Sequence, residues 1–169
     1  MLPPSGPNGG PSHGDDGFDL ARFLKAQDGV HERAVRELRA GRKRSHWMWF
    51  VFPQVDGLGG SWMARRYAIR SRDEARAYLA HPTLGPRLIE SVNAVLDAGR
   101  AHPGLDARRL MGSPDDLKLR SSMTLFAAAA DDPTPFEAVL DRFYGGEPDE
   151  RTRSLLASKD APPGGGSAT

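Results

Sequence analysis

Apolar residues recur along this chain at intervals of three and four, in short runs set apart by capping and breaking residues. Leu20, Phe23, Leu24 and Gln27 share one face of a first predicted helix, opened by Phe18 and Asp19 with Asp19 as N-cap. Asp28 and Gly29 interrupt, and Asp28 is placed to cap a second helix. There Val30, Ala34, Val35 and Leu38 form the stripe, with Glu32, Arg33, Arg36, Glu37 and Arg39 largely outside it, and Gly41 closes it. Ser61 is read as the N-cap of a short helix bearing Met63, Ala64 and Tyr67. Ser71 and Glu74 form a capping box, hydroxyl and carboxylate satisfying reciprocal backbone donors, ahead of Ala75, Tyr78 and Leu79. Pro82 is assigned to the first turn of a longer helix carrying Leu84, Leu88, Ile89, Val92, Val95 and Leu96.

Residues 105–112 read as a short helix ending at glycine. Ser113 as N-cap, Pro114 in the first position and Asp115 and Asp116 in the first turn make the strongest helix start in the chain. Its stripe is Leu119, Met123, Phe126, Ala127 and Ala130. Thr134 and Pro135 open a helix with Phe136, Val139, Leu140 and Phe143, which Gly145 and Gly146 stop. Asp149 caps a last short helix reaching Leu155 and Leu156. No segment alternates with period two over a useful length. The pattern predicts an all-α protein, a compact orthogonal bundle of about seven or eight short helices.

The pattern fades at both ends. Residues 1–17 are dominated by Pro, Gly, Ser, Asn and Asp, and 158–169 end in a run of similar composition; both are expected to be disordered tails around a single helical domain at 18–157. A length of 169 residues suits one domain. The net charge of +1 with 27% charged residues argues against bulk nucleic-acid binding, which needs a clear cationic excess. With no cysteine, disulfides, thiolate nucleophiles and sulfur-ligated zinc are excluded. The five histidines are scattered, with no metal-ligand spacing, and no cofactor is implied. The first residues lack the basic and apolar regions of a secretory signal, and the apolar run 47–52 is far too short to span a bilayer. A cytoplasmic protein with no membrane partner is expected.

Candidate chemistry concentrates in 41–54. This window holds two of the three tryptophans, two of the seven phenylalanines, His46 and the basic cluster Arg42, Lys43 and Arg44. By composition 47–52 prefers a strand, but no partner strand exists, so a short helix or an irregular buried segment is expected. His46 is a candidate general base, since imidazole titrates near neutrality; it serves equally as a packing residue beside aromatics. Arg44 is the best placed of the cations to meet phosphate or carboxylate. Trp47 and Trp49 favour the core over a stacking platform, yet so many bulky residues in succession cannot all face one interior. Gln54, directly after Pro53, suits a hydrogen bond into a pocket or a backbone tie. The glycine-rich loop at 57–60 lacks a phosphate-loop pattern and is read as a mobile lip.

A second constellation begins the helix after Pro114. Lys118, Ser121, Ser122 and Leu125 lie on one flank at spacings of three and four, with Asp115 and Thr124 at its edges. A lysine and two hydroxyls beside a core stripe fit either a site or close helix packing. Lys118 and Ser122 match no known nucleophile dyad.

With both segments read, the chain resembles a bacterial family known as domain of unknown function 1810, over 18–156. The resemblance rests on Phe18, Asp19 and Leu20 with Arg22 and Phe23, on 41–54, on Tyr67, Ala68 and Ile69, and on Glu74 and Ala75 with Tyr78 and Leu79. It continues through His81, Pro82, Leu84, Gly85, Arg87 and Leu88, through 116–126, and through 149–152. It implies a compact, mainly helical fold and no established activity. Some members carry a calpastatin label, which is an error of transfer: calpastatin is disordered and repetitive, whereas this chain has a capped helical core. A fainter likeness, in the order of aromatic segment and lysine-bearing helix, is to helical N-glycosidases acting on riboflavin intermediates and ADP-ribosyl groups, whose catalytic residues do not align here.

The expected site therefore joins 46–54 to 116–122 and takes a small anionic or nucleotide-like ligand. Arg44 and Lys118 hold charge, Trp47 or Trp49 stacks, Gln54, Ser121 and Ser122 bind, and His46 or Asp116 transfers any proton, with N-glycosidic hydrolysis as a candidate reaction. The competing expectation is a non-catalytic ligand-binding or protein-interaction module.

Overall fold

Ten helices, and among the described residues no strand, account for the regular structure of residues 17–161, which are those described by the computed structural model. Of the tails expected at 1–17 and 158–169, residues 1–16 and 162–169 lie outside the described residues. In chain order the helices are α1 (Ala21–Gln27), α2 (His31–Arg39), α3 (Met48–Val51), α4 (Trp62–Arg66), α5 (Arg72–Ala80), α6 (Leu84–Ala101), α7 (Ala107–Met111), α8 (Asp115–Ala129), α9 (Thr134–Tyr144) and α10 (Glu150–Asp160). The count exceeds the seven or eight expected because single turns such as α3 are too short to display a period of 3.6. α10 also runs three residues past 157, its end tied by Asp160 to Arg72 at 2.9 Å.

The two longest helices organise the bundle. α6 packs against α2, α5 and α9, and α8 against α5, α7, α9 and α10. Six consecutive residues of α8, 121–126, are buried, which marks a helix enclosed on all sides rather than an amphipathic one at the surface. Two of its three buried hydroxyls bond locally: Ser121 Oγ donates to the Leu117 carbonyl at 3.2 Å and Thr124 Oγ1 to the Arg120 carbonyl at 2.8 Å. The core joins Phe23, Tyr78, Phe126 and Phe136 from four helices with Trp47 and Phe52 of the 41–54 segment.

Several caps form as the sequence predicts. Ser61 accepts from the Ala64 amide and Asp149 from the Thr152 amide, and Gly41 and Gly145 take the positive φ that ends α2 and α9. Four do not. Asp19 is not an N-cap: it sits at φ 56, α1 starts two residues later, and its carbonyl receives the Arg22 guanidinium at 2.8 Å. Asp28 ends α1 instead of capping α2, whose N-cap is Val30. Pro82 precedes α6 by two residues, and His81 Nδ1 takes the amides of Thr83 and Leu84 at 3.0 and 3.2 Å. Ser113 lies outside α8, whose N-cap is Pro114 with no side-chain bond. The capping box is half formed: Ser71 Oγ accepts from the Glu74 amide at 3.0 Å, but the Glu74 carboxylate is taken by Arg22 and by the Arg70 amide, both at 2.8 Å.

Candidate functional site

The 41–54 segment begins where Gly41 ends α2, and its first turn is built around an acid. Glu37 accepts from the amides of Arg44 at 2.8 Å and Ser45 at 3.0 Å, from the Ser45 hydroxyl, and from Trp47 Nε1 at 2.8 Å. Burial alone would raise the pKa of Glu37; the Ser45 hydroxyl and the three N–H donors outweigh it and hold the carboxyl down at about 2. This turn delivers Trp47, fully buried, into the core, and α3 follows with Phe50 and Val51 inward and Trp49 half-buried. Gln27 receives the end of α3: its Nε2 donates to the Phe50 carbonyl at 2.8 Å and to the Tyr78 hydroxyl at 3.0 Å. After Pro53 the chain pairs once with 68–70, Ile69 donating to the Gln54 carbonyl at 2.9 Å and Asp56 to the Ile69 carbonyl at 2.8 Å.

The start of α8 meets this segment. Lys43 Nζ lies 2.9 Å from Asp115 Oδ2, 2.6 Å from the Ser45 carbonyl and 4.9 Å from the Trp47 ring centroid. The lysine side chain is only 7% exposed, so the pair is largely desolvated. Asp115 also faces Lys118 at 3.7 Å, and Lys118 Nζ stands 5.4 Å from the Trp49 ring centroid, within cation–π range. Asp116 is part-buried; its Oδ1 is out of reach of water and has no hydrogen-bond partner, while its carbonyl accepts from the Tyr144 hydroxyl at 2.6 Å. Burial first, and the Asp116 charge second, push the Tyr144 phenol up, so it stays a donor through the ordinary pH range.

The residues expected to form the site are thus distributed unequally. Trp49 and Lys118 meet at the junction of the two segments, and Asp116 lies in the first turn of α8 with its carbonyl bonded to Tyr144. Trp47 is enclosed and spends its N–H on Glu37, and Gln54 contributes a backbone tie. Ser121 is buried and bonded to Leu117 and to Asp149 at 3.3 Å; Ser122 is fully buried with its hydroxyl unpartnered. His46 and Arg44 are exposed on the turn. Sequence reasoning missed Glu37, which was assigned to the outer face of α2, and Asp115 and Lys43 as a pair. A signal for Glu37 was present: an acid in the last turn of a helix opposes the dipole and implies a use for its charge.

Among the described residues, no three His, Asp or Glu side chains come together as metal ligands, and no helix is long and apolar enough to cross a membrane. The protein's sequence and fold have a close counterpart in a solved structure. A conserved hypothetical protein of Mycobacterium tuberculosis, Rv1873, is 55% identical, superposes with a TM-score of 0.79, and is matched over 84% of this chain and 99% of its own. No functionally curated protein is significantly similar. The profile of the family described as protein of unknown function, DUF1810, matches residues 17–156, and the chain belongs to that family.

Proposed function

We propose that the protein binds a small ligand carrying a flat ring and negative charge, of the nucleotide or sugar-phosphate class, where 41–54 meets the start of α8. The observation that carries this reading is the Lys118 ammonium 5.4 Å from the ring centroid of a half-buried Trp49. A ligand ring stacking on the indole would take the place of that ammonium, and Lys118 would turn to the ligand's anionic group. Asp115, held by Lys43 at 2.9 Å, keeps the local charge balanced when Lys118 leaves it.

A thermal-shift screen of nucleotides, ADP-ribose and sugar phosphates tests this. A ligand at 100 times its dissociation constant stabilises the native state by about 2.7 kcal/mol. The expected result is a shift for at least one ring-bearing anion in the wild type and none in Trp49→Ala/Lys118→Ala. If no ligand separates the two proteins, the face is an interaction surface or simply core, and the reading is wrong.

Asp116, whose Oδ1 has no hydrogen-bond partner, favours a second reading at the start of α8, N-glycosidic hydrolysis. Through Oδ2, since Oδ1 is out of reach of water, Asp116 would take a proton from a water whose oxygen forms a bond to the sugar carbon while the C–N bond breaks, and would pass that proton to the departing nitrogen. Free base released by the wild type and not by a folded Asp116→Asn variant is the expected outcome; equal release by both removes Asp116 from the chemistry.

A further inference from the structure

A groove of about 880 Å³ runs between the chain leaving α2, the chain leaving α6 and the helix α7. Gly41, Arg42 and Lys43 form one wall, His102 and Leu105 another, and Arg108 and Arg109 the third; none of its lining residues is Asp or Glu. Lys43 is neutralised by Asp115 at 2.9 Å. Arg42, Arg108 and Arg109 are exposed and make no ion pair among the described residues. The flanking acid, Asp106, uses Oδ1 to accept the Arg109 amide at 2.8 Å as the cap of α7. Gly41 has φ 84, and a Cβ there would stand 3.4 Å from the His102 ring, so the two walls approach closely at this point.

The C-terminal ends of helices favour cations, which accounts for a basic residue near each of these ends. It does not account for three unpaired guanidinium groups lining one hollow in a chain whose net charge is only +1. Clustered like charges repel unless an anion joins them, and guanidinium forks match phosphate oxygens in pairs. The volume lies in the range of small-molecule sites, roughly 300–1,000 Å³.

We propose that this groove is an anion site for a small phosphate ester or diphosphate, clamped by Arg42, Arg108 and Arg109, with His102 as a further donor. The site stands independently of the Trp49 face, although Lys43 borders both. The near-neutral net charge favours a compact ligand over a polyanion such as RNA.

Calorimetric titration of the full chain with inorganic pyrophosphate, ADP, adenosine and a single-stranded oligonucleotide tests it. Pyrophosphate and ADP are expected to bind and adenosine not to. Arg108→Ala/Arg109→Ala should weaken both by at least about tenfold, as loss of charge-assisted hydrogen bonds predicts. These side chains are exposed, so the variant should keep the wild-type melting profile, and Trp49→Ala should bind pyrophosphate as the wild type does. Four outcomes overturn the proposal: no binding of pyrophosphate or ADP at millimolar concentration, unchanged binding by the arginine variant, a strong preference for the oligonucleotide, or pyrophosphate binding lost in Trp49→Ala. ADP binding lost in Trp49→Ala/Lys118→Ala but kept in the arginine variant would sink the groove while leaving the Trp49 face standing.

Discussion

Glu37 shows how one side chain converts a helix end into a buried tryptophan. Four donors converge on its carboxylate, and Trp47 cannot enter the core with its indole N–H satisfied unless that carboxylate is there. The folded-state pKa is depressed from 4.5 to about 2. A depressed acid stabilises the fold above its unfolded pKa, and that stability is lost as pH falls from about 4.5 toward 2. Because the carboxylate is only part-buried, water screens some of the effect; Glu37→Gln should cost about 1–2 kcal/mol at neutral pH. The variant should also lose less stability than the wild type between pH 4.5 and 2. Urea unfolding at several pH values measures both quantities, and parallel pH profiles for the two proteins would remove Glu37 from this role. Gln27 is the neutral counterpart: it reads as part of an apolar stripe because it is indeed buried, and it anchors α3 through the Phe50 carbonyl.

At the scale of elements, the joints that failed prediction are those where a tertiary partner outbids a local one. Glu74 leaves its own capping box half made because Arg22, 52 residues away in sequence, pairs with it at 2.8 Å, both side chains nearly inaccessible. Arg22 also donates to the carbonyls of Phe18, Asp19, Arg66 and Ala68, so it binds the entry of α1 to the segment before α5. Nothing in local spacing reveals this, since the pair lies on different helices. Arg22→Met should cost about 3–5 kcal/mol, because Glu74 would be left charged and buried. A loss below about 1 kcal/mol in urea melts would show that water replaces the guanidinium. Gly85 makes the opposite kind of joint, one defined by space. A Cβ there would lie 2.2 Å from the Leu79 carbonyl oxygen, so Gly85→Ala must push α6 off the end of α5. A cost of about 1–3 kcal/mol is expected, with the change in melting temperature as its measure. The helices themselves were legible because their stripes, caps and terminal glycines agree; a close approach between two helices leaves only a bare glycine in the sequence.

Across the whole molecule, the meeting of 41–54 with the start of α8 was legible as composition, aromatic mass on one segment and charged and hydroxyl groups on the other. Which residues make that meeting was not, because Lys43 and Asp115 become partners only when α7 sets the chain direction, the Lys43 amide donating to the Leu110 carbonyl at 2.7 Å. The basic groove escaped for the same reason: its arginines come from positions 42, 108 and 109, and only folding gathers them. The same global view predicts an uneven stability. α6 buries nine residues and α8 eight, whereas α10 buries only Thr152 and Leu156. α10 is held mainly by polar ties: the Asp149 amide to Thr124 Oγ1 at 2.8 Å, Arg72 to Asp160 at 2.9 Å, and Lys159 to Asp56 at 3.8 Å. Exposed ion pairs of this kind contribute about 0–1 kcal/mol each and weaken in salt. Native-state hydrogen exchange should therefore show the amides of α10 exchanging through a local opening, at least about tenfold faster than those of α6 and α8, which should report global unfolding. Raising the salt concentration should widen that gap, since it screens the ties of α10 and leaves the apolar burial of α6 and α8 intact. If α10 exchanges at the global rate in both low and high salt, the burial of Thr152 and Leu156 suffices to lock it in place, and the bundle unfolds as one unit.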